Sequence, residues 1–108
     1  MASLALPAFL LHIALVAQAD DLGPPRDVAF TADVDGTTQR YVETLPTDFD
    51  PAAEHHVLMA FHGHGSDRWQ FVKQTRGTGR EARRIAAKYG MIFVAPDYRA
   101  KTSWMGPK

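Results

Sequence analysis

The stretch from Val57 to Asp67 reads VLMAFHGHGSD and joins an unbroken apolar run to a glycine-rich end. A strand that is apolar at every position is typical of a sheet with both faces covered. We place this strand at His56–Phe61. A second run of the same kind, MIFVA, follows at Met91–Ala95. The two runs therefore predict buried strands in the middle of a parallel sheet.

A helix from Arg80 to Tyr89 is predicted between these strands. Apolar residues recur there at helical spacing and form one stripe, and basic residues point away from it. Gly90 stands just past the predicted C-terminus, where positive φ is favoured. Strand, helix and strand in this order predict a right-handed βαβ unit. The stripe consists of Ala82, Ile85, Ala86 and Tyr89, and the basic residues are Arg83, Arg84 and Lys88.

Two β-rich stretches, Val28–Val34 and Thr38–Leu45, precede this unit. The dipeptide Asp35-Gly36 separates them and indicates a tight hairpin, since primed turns need positive φ. Residues 20–27, with two adjacent prolines, are predicted to form an extended leader. The predicted fold class is α/β: an antiparallel hairpin followed by a βαβ unit, all within residues 28–108.

The composition excludes several classes of protein. The chain has 108 residues, 12 basic and 12 acidic side chains and no cysteine. Disulfide frameworks, cysteine-ligated zinc and thiol nucleophiles are therefore excluded. The charges divide unevenly: residues 20–67 carry ten acidic and two basic side chains, and residues 68–108 carry ten basic and two acidic ones. We expect the two halves to neutralise each other in one fold, without a nucleic-acid partner.

The N-terminal residues 1–19 have the features of an export signal. They contain no charged side chain, and the apolar run from Leu4 to Val16 is shorter than the roughly 20 residues of a membrane-spanning helix. The small residues Ala17 and Ala19 form a peptidase site before Asp20. A membrane anchor is the alternative use of such a run. We predict cleavage after Ala19, a secreted or periplasmic protein and no stable membrane anchor.

The ordered set of these segments resembles the N-terminal part of an α/β-hydrolase, in the secreted esterase and prolyl-oligopeptidase-like branch. The similar features run from about Phe30 to Pro107. They are QRYV at residues 39–42, HGHGSD at residues 62–67 and APDYR at residues 95–99. The resemblance implies an exported serine hydrolase that acts on a small-molecule ester or peptide substrate and needs no cofactor.

The resemblance also implies roles for the loop after the first apolar strand. In the family this loop supplies an oxyanion-hole N–H. By this resemblance, the backbone amide of His64 is the best candidate for the oxyanion-hole donor, and the backbone amide of Gly65 is the second. His62 becomes a residue that braces the loop, and the supporting loop is completed by Gly63, Ser66 and Asp67.

The nucleophile elbow G-x-S-x-G of the family occurs nowhere in the sequence. Neither Ser66 nor Ser103 has glycines two residues away on both sides. The family's triad serine, acid and histidine follow this region in chain order. We therefore expect no catalytic triad member here, an inactive and truncated chain, and one sheet face left uncovered.

Other interpretations of the same residues remain open. The chain is alternatively a small exported, non-catalytic module that binds a partner through its uncovered sheet. His62 and His64 at the end of a strand, with Asp67, resemble a set of metal ligands. The stretch Gly77–Ala82 matches a dinucleotide-binding pattern, but no buried strand precedes it. We predict packing roles for Trp69 and Phe71, and hydrogen bonds to nearby loops for Asp97 and Arg99.

Overall fold

A computed structural model describes Ser3 and residues 22–99 of the chain. Apart from Ser3, the predicted export signal lies outside the described residues, and so does Ser103. The described part contains four strands and two helices. In chain order they are β1 (Arg26–Thr31), β2 (Thr38–Thr44), β3 (Val57–Met59), α1 (Gln70–Lys73), α2 (Thr78–Lys88) and β4 (Ile92–Pro96).

The four strands form one mixed sheet in the order β1-β2-β4-β3. β2 pairs antiparallel with β1 and with β4, whereas β3 and β4 are parallel. A parallel pair needs a crossover connection, and α1 and α2 supply it. The predicted α/β architecture, a hairpin followed by a βαβ unit, is confirmed.

The hairpin of β1 and β2 turns through residues 32–37. The amide of Ala32 donates to the carbonyl of Thr37 at 2.9 Å, and the Asp35 carboxylate accepts from both the amide and the hydroxyl of Thr37. Gly36 has φ 70°, but no other residue of the described turn has positive φ and six residues separate the paired strands, so the turn is longer than the tight primed turn that the sequence predicts. The first strand ends at Thr31, so Val34 lies in the turn and not in the strand. The predicted leader also ends early, because β1 begins at Arg26.

The core lies between the sheet and α2. Val42 on β2 and Phe93 on β4 are fully buried, and Ala86 brings α2 onto the sheet. α1 packs against α2 at Gly79, where a Cβ atom would lie 2.6 Å from the carbonyl oxygen of Phe71. Only glycine fits this close approach of the two helices. Among the described residues, no helix has the length and apolarity that a membrane crossing requires.

The predicted apolar stripe of the helix is wrong in part. Ile85 is 45% exposed and Tyr89 62% exposed, so only the alanines of the stripe face the sheet. Arg83, predicted to point away, is half-buried and donates to the carbonyls of Phe71 and Gln74. The reason is α1, which was not predicted because its sequence is polar. α2 packs against both α1 and the sheet, whereas the predicted stripe assumes packing against the sheet alone.

The prediction that both apolar strands lie in the middle of the sheet is wrong for β3. β4 lies between two strands, but β3 is at the edge and only three residues long. Leu58 packs against the core, whereas Val57 and Met59 point to the opposite face and are 52% and 51% exposed. No element in the described part of the chain covers that face. β3 is therefore apolar on both faces, as predicted, but only one of its faces is buried.

Candidate active-site loop

The glycine loop, which we define as residues 62–67, follows the C-terminal end of β3. Pairing continues beyond the strand, since the amide of Ala60 donates to the carbonyl of Val94 at 2.8 Å. β3 and β4 are parallel, so the segment after β4 reaches the same edge of the sheet. In open α/β sheets ligands bind outside the carboxyl ends of the strands. The glycine loop lies at that position.

Hydrogen bonds within the glycine loop and to Gln70 give the loop its shape, and one of them joins Nδ1 of His62 to the carbonyl oxygen of Gly63 at 2.8 Å. The amide of Gly63 donates to Oε1 of Gln70 at 2.8 Å, and the amide of Ser66 donates to the carbonyl of Gly63 at 3.2 Å. Gly65 has φ 75°, a backbone conformation that favours glycine. The amides of His64 and Gly65 donate to no other residue in the described part of the chain, and both residues are exposed. Two neighbouring donors are thus available to a ligand.

His62, the first residue of the loop, is packed against Tyr98. The two rings are 4.0 Å apart between centroids with their planes 20° apart, and the His62 side chain is only 7% exposed. The Tyr98 hydroxyl donates to the carbonyl of His62 at 2.7 Å. Burial raises the pKa of Tyr98, which keeps the phenol in its donating form. The His62 ring therefore faces the protein and is not presented to a ligand.

Arg68, directly after the loop, joins two strands through its guanidinium. Nε and Nη2 donate to the two carboxylate oxygens of Asp27 on β1, each at 2.8 Å. Nη1 and the backbone amide of Arg68 donate to the two carboxylate oxygens of Asp97, again at 2.8 Å. Hydrogen bonding to Arg68 holds the pKa of Asp27 below its ordinary value, and the bond to Asp27 raises the pKa of Arg68.

These contacts confirm the predicted roles of Asp97 and Arg99. Asp97 binds the residue after the glycine loop, and Arg99 pairs with Asp35 in the hairpin turn. Arg68 and Arg99 belong to the basic half of the sequence, and Asp27 and Asp35 to the acidic half. The two halves neutralise each other in one fold, as expected.

Trp69 and Phe71 pack against the core, as predicted. The Trp69 ring also has the Lys73 ammonium 5.0 Å from its centroid. Its amide donates to a carboxylate oxygen of Asp67 at 2.8 Å, so Asp67 closes the turn that leads into α1. The predicted supporting residue is thus engaged with the backbone of its own loop.

The structure does not assemble the alternative metal site. The described residues contain no group of three or more His, Cys, Asp or Glu side chains that could hold a metal ion. His62 stacks on Tyr98, Asp67 accepts from a backbone amide, and His64 is exposed. The dinucleotide alternative has no support either, because Gly77 follows α1 and not a strand.

Ser66 lies exposed in the loop, and its hydroxyl makes no hydrogen bond to another described residue. Within residues 22–99 no serine is therefore paired with a base. The two amides of His64 and Gly65 can donate hydrogen bonds to an oxygen atom of a ligand. Sequence reasoning missed three residues that hold the loop: Arg68, Gln70 and Tyr98.

The described fold is similar to part of several solved structures. A ferulic acid esterase from Anaeromyces mucronatus, in complex with ferulic acid, superposes with a TM-score of 0.58 at 18% identity. The match covers 79% of this chain and 32% of the esterase. The substrate-bound fluorophosphonate-binding serine hydrolase F of Staphylococcus aureus matches with a TM-score of 0.52 at 21% identity, over 70% of this chain and 30% of that one.

S-formylglutathione hydrolase, also from Staphylococcus aureus, matches with a TM-score of 0.50 at 20% identity, over 68% of this chain and 30% of that chain. This chain therefore spans about a third of the length of each of these proteins. No protein-family description matches the sequence, and no curated protein matches it by sequence. The chain has part of an α/β-hydrolase fold.

Proposed function

We propose that this chain supplies the oxyanion loop of an exported serine hydrolase that cleaves ester or peptide bonds. The observation that carries the proposal is the pair of unengaged amides at His64 and Gly65. They follow a strand of a hydrolase-type sheet, at the edge where ligands bind. The three structural neighbours, an esterase and two further hydrolases, support the same reaction class.

The chemistry assigned to the glycine loop is stabilisation of developing negative charge. When a serine oxygen attacks an ester or amide carbonyl, the carbonyl oxygen becomes an oxyanion, and a histidine base takes the serine proton. The amides of His64 and Gly65 would donate to that oxyanion from about 2.7–3.1 Å. One such donor contributes about 2.7–4 kcal/mol to transition-state stabilisation.

The attacking group is assigned to residues beyond this sequence. The elbow G-x-S-x-G is absent from residues 1–108, and the family's three triad residues follow it in chain order. Losing the triad serine or histidine lowers kcat by about 10⁶ in a serine protease. We therefore propose that the catalytic triad lies outside these 108 residues and that the chain is inactive by itself.

Export is the second part of the proposal. The uncharged, apolar residues 1–19 and the small residues around Ala19 support a cleaved signal. N-terminal sequencing of the protein recovered from the culture medium or periplasm tests this. We expect a first residue of Asp20; protein retained in the cytoplasm with Met1 intact would contradict export.

The experiment for the catalytic part begins at the gene. The reading frame is followed past the codon of Lys108, and the extended protein is expressed and labelled with a fluorophosphonate probe. We expect a G-x-S-x-G sequence in the extension, covalent labelling of its serine and turnover of a p-nitrophenyl ester. A natural stop codon with no elbow in a continuing frame would overturn the proposal for this gene product.

A second candidate function rests on the uncovered sheet face. Phe30, Val57 and Met59 are each about half exposed on or beside that face, which is typical of a surface that contacts a partner. A non-catalytic binding module predicts that residues 20–108 sediment as one defined species and bind no hydrophobic dye. Strong dye binding by the folded protein would instead favour the incomplete hydrolase.

A further inference from the structure

We propose that Asp97 and Tyr98 are positioning residues that together hold the two ends of the glycine loop. They are consecutive residues at the end of β4. Tyr98 holds His62, the first residue of the loop, and Asp97 holds Arg68, the residue that follows it. The inference rests on the proposed function, because it assigns how the oxyanion donors between these ends are kept in place.

Tyr98 contacts the start of the loop in two ways, and Oδ1 of Asp97 also lies 4.0 Å from Nε2 of His62. The phenol of Tyr98 donates to the carbonyl of His62 at 2.7 Å, and the two rings stack at 4.0 Å. The hydrogen bond fixes the backbone of His62, and the stack fixes its side chain. Removal of the hydroxyl alone leaves the stack intact, so the two contributions are separable.

The contact at the end of the loop grips both backbone and side chain. One oxygen of Asp97 accepts from the Arg68 amide and the other from Nη1, each at 2.8 Å. The guanidinium is held from its other side by Asp27 on β1. Arg68 is thus fixed between two strands of the sheet, and its backbone cannot shift without breaking charged hydrogen bonds.

Between these ends the loop has little to hold it. The hydrogen bonds of residues 63–66 are those from the Gly63 amide to Gln70, from the Ser66 amide to the Gly63 carbonyl and from Nδ1 of His62 to the same carbonyl. His64 and Gly65 are exposed, and glycine is the residue with the greatest conformational freedom. The position of the two free amides therefore depends on the anchored ends. Because a misplacement of about 1 Å at a reacting group costs about 10² in rate, these anchors matter for chemistry.

The test compares Tyr98→Phe and Asp97→Asn with two matched controls in the 108-residue chain. Tyr89→Phe makes the same change at an exposed tyrosine just after α2, and Asp33→Asn the same change at an exposed turn aspartate. NMR follows hydrogen exchange at the amides of Gly63 and Ser66, which both donate hydrogen bonds. We expect exchange to speed up about tenfold in both test variants and to stay within twofold in both controls.

Two further readouts separate positioning from general stability. The amide chemical shifts of His64 and Gly65 change in the test variants if the loop moves, although neither amide loses a bond of its own. The exchange of the β4 amides follows the change in global stability that the urea midpoint reports, whereas the exchange of the loop amides accelerates beyond that change. Equal acceleration of loop and β4 amides, unchanged shifts at His64 and Gly65, or loss of the whole fold in Tyr98→Phe would each overturn the positioning role.

The measurements need no nucleophile, so they stand apart from the test of the proposed function. An extended gene without an elbow would refute the hydrolase and leave the loop measurements valid. In an active extended enzyme, Tyr98→Phe lowers kcat about tenfold and leaves KM within about twofold, because the anchors act on the transition-state donors.

Discussion

Gly79 provides the sharpest test of how the two helices pack. In an exposed helix, alanine in place of glycine adds about 1 kcal/mol of stability. Gly79 is instead buried, and an added Cβ would lie 2.6 Å from the carbonyl oxygen of Phe71 and 2.9 Å from its Cα. Both are backbone atoms of α1, so the helices must separate. Gly79→Ala is therefore expected to lower the free energy of unfolding, whereas helix propensity alone predicts an increase.

The magnitude follows from three contributions. Overpacking of this kind costs about 1–3 kcal/mol, and displacing Gln74, which accepts from the Gly79 amide at 2.7 Å, costs about 1 kcal/mol more. The gain in helix propensity offsets about 1 kcal/mol of this loss of stability. We expect the free energy of unfolding to fall by about 2 kcal/mol.

Urea unfolding followed by circular dichroism measures this change. Arg80→Ala, at an exposed neighbouring position of α2, is the control and is expected to change stability by less than about 0.5 kcal/mol. The double variant Gln74→Ala/Gly79→Ala tests which contact causes the loss of stability. The loss of stability persists in the double variant if the Phe71 backbone is the obstacle. A stabilised or unchanged Gly79→Ala protein would refute the close approach of the helices.

Further predictions concern buried polarity, acid stability, the open face and activity. The buried Thr44 hydroxyl has no hydrogen-bond partner among the described residues, so Thr44→Val leaves stability unchanged or raises it by up to about 1 kcal/mol in urea unfolding; a clear loss would show that the hydroxyl is bonded. The pKa of Asp27 is lowered in the folded protein, so the ion pair of Asp27 with Arg68 stabilises the fold. This stabilisation is complete above the ordinary aspartate pKa of 3.8 and is lost as the pH falls through the pKa that Asp27 has in the folded state. Asp27→Asn removes this part of the acid sensitivity in unfolding at pH 2–5, and an unchanged profile would contradict the assignment. Met59→Lys lowers the binding of a hydrophobic dye and the turn variant Val34→Lys does not; equal effects would argue against a specific apolar face. The 108-residue chain gives no p-nitrophenyl ester turnover, and activity that survives repeated purification would contradict the proposed division of the active site.

Local signals predicted the elements of the described fold except α1. Asp35-Gly36 predicted the hairpin, and the two apolar runs with a helix between them predicted the βαβ unit. The burial of each face was harder to predict, since the sequence of β3 is the same whether one or both of its faces are covered. Val57 and Met59 are apolar in either case, and only the arrangement of the remaining elements determines their exposure.

The sequence indicates two candidate donors in the glycine loop but not the residues that hold the loop in place. Two glycines after a buried strand indicate a loop that presents amides, and the resemblance assigned His64 and Gly65 on that basis. The supports come from distant parts of the chain: Tyr98 lies 36 residues from His62, and Arg68 lies 41 residues from Asp27. Neither separation corresponds to the short period of a helix or a strand, so these pairs become visible only in the folded chain.

The central claim is that backbone amides of the glycine loop stabilise an oxyanion, and one comparison tests it directly. In the enzyme expressed from the extended reading frame, His64→Pro removes the amide donor and His64→Ala retains it. We predict that His64→Pro lowers kcat for a p-nitrophenyl ester by about 10²–10³, while His64→Ala keeps kcat within about threefold of the parent. Equal kcat values for the two variants, with both proteins folded, would contradict the claim.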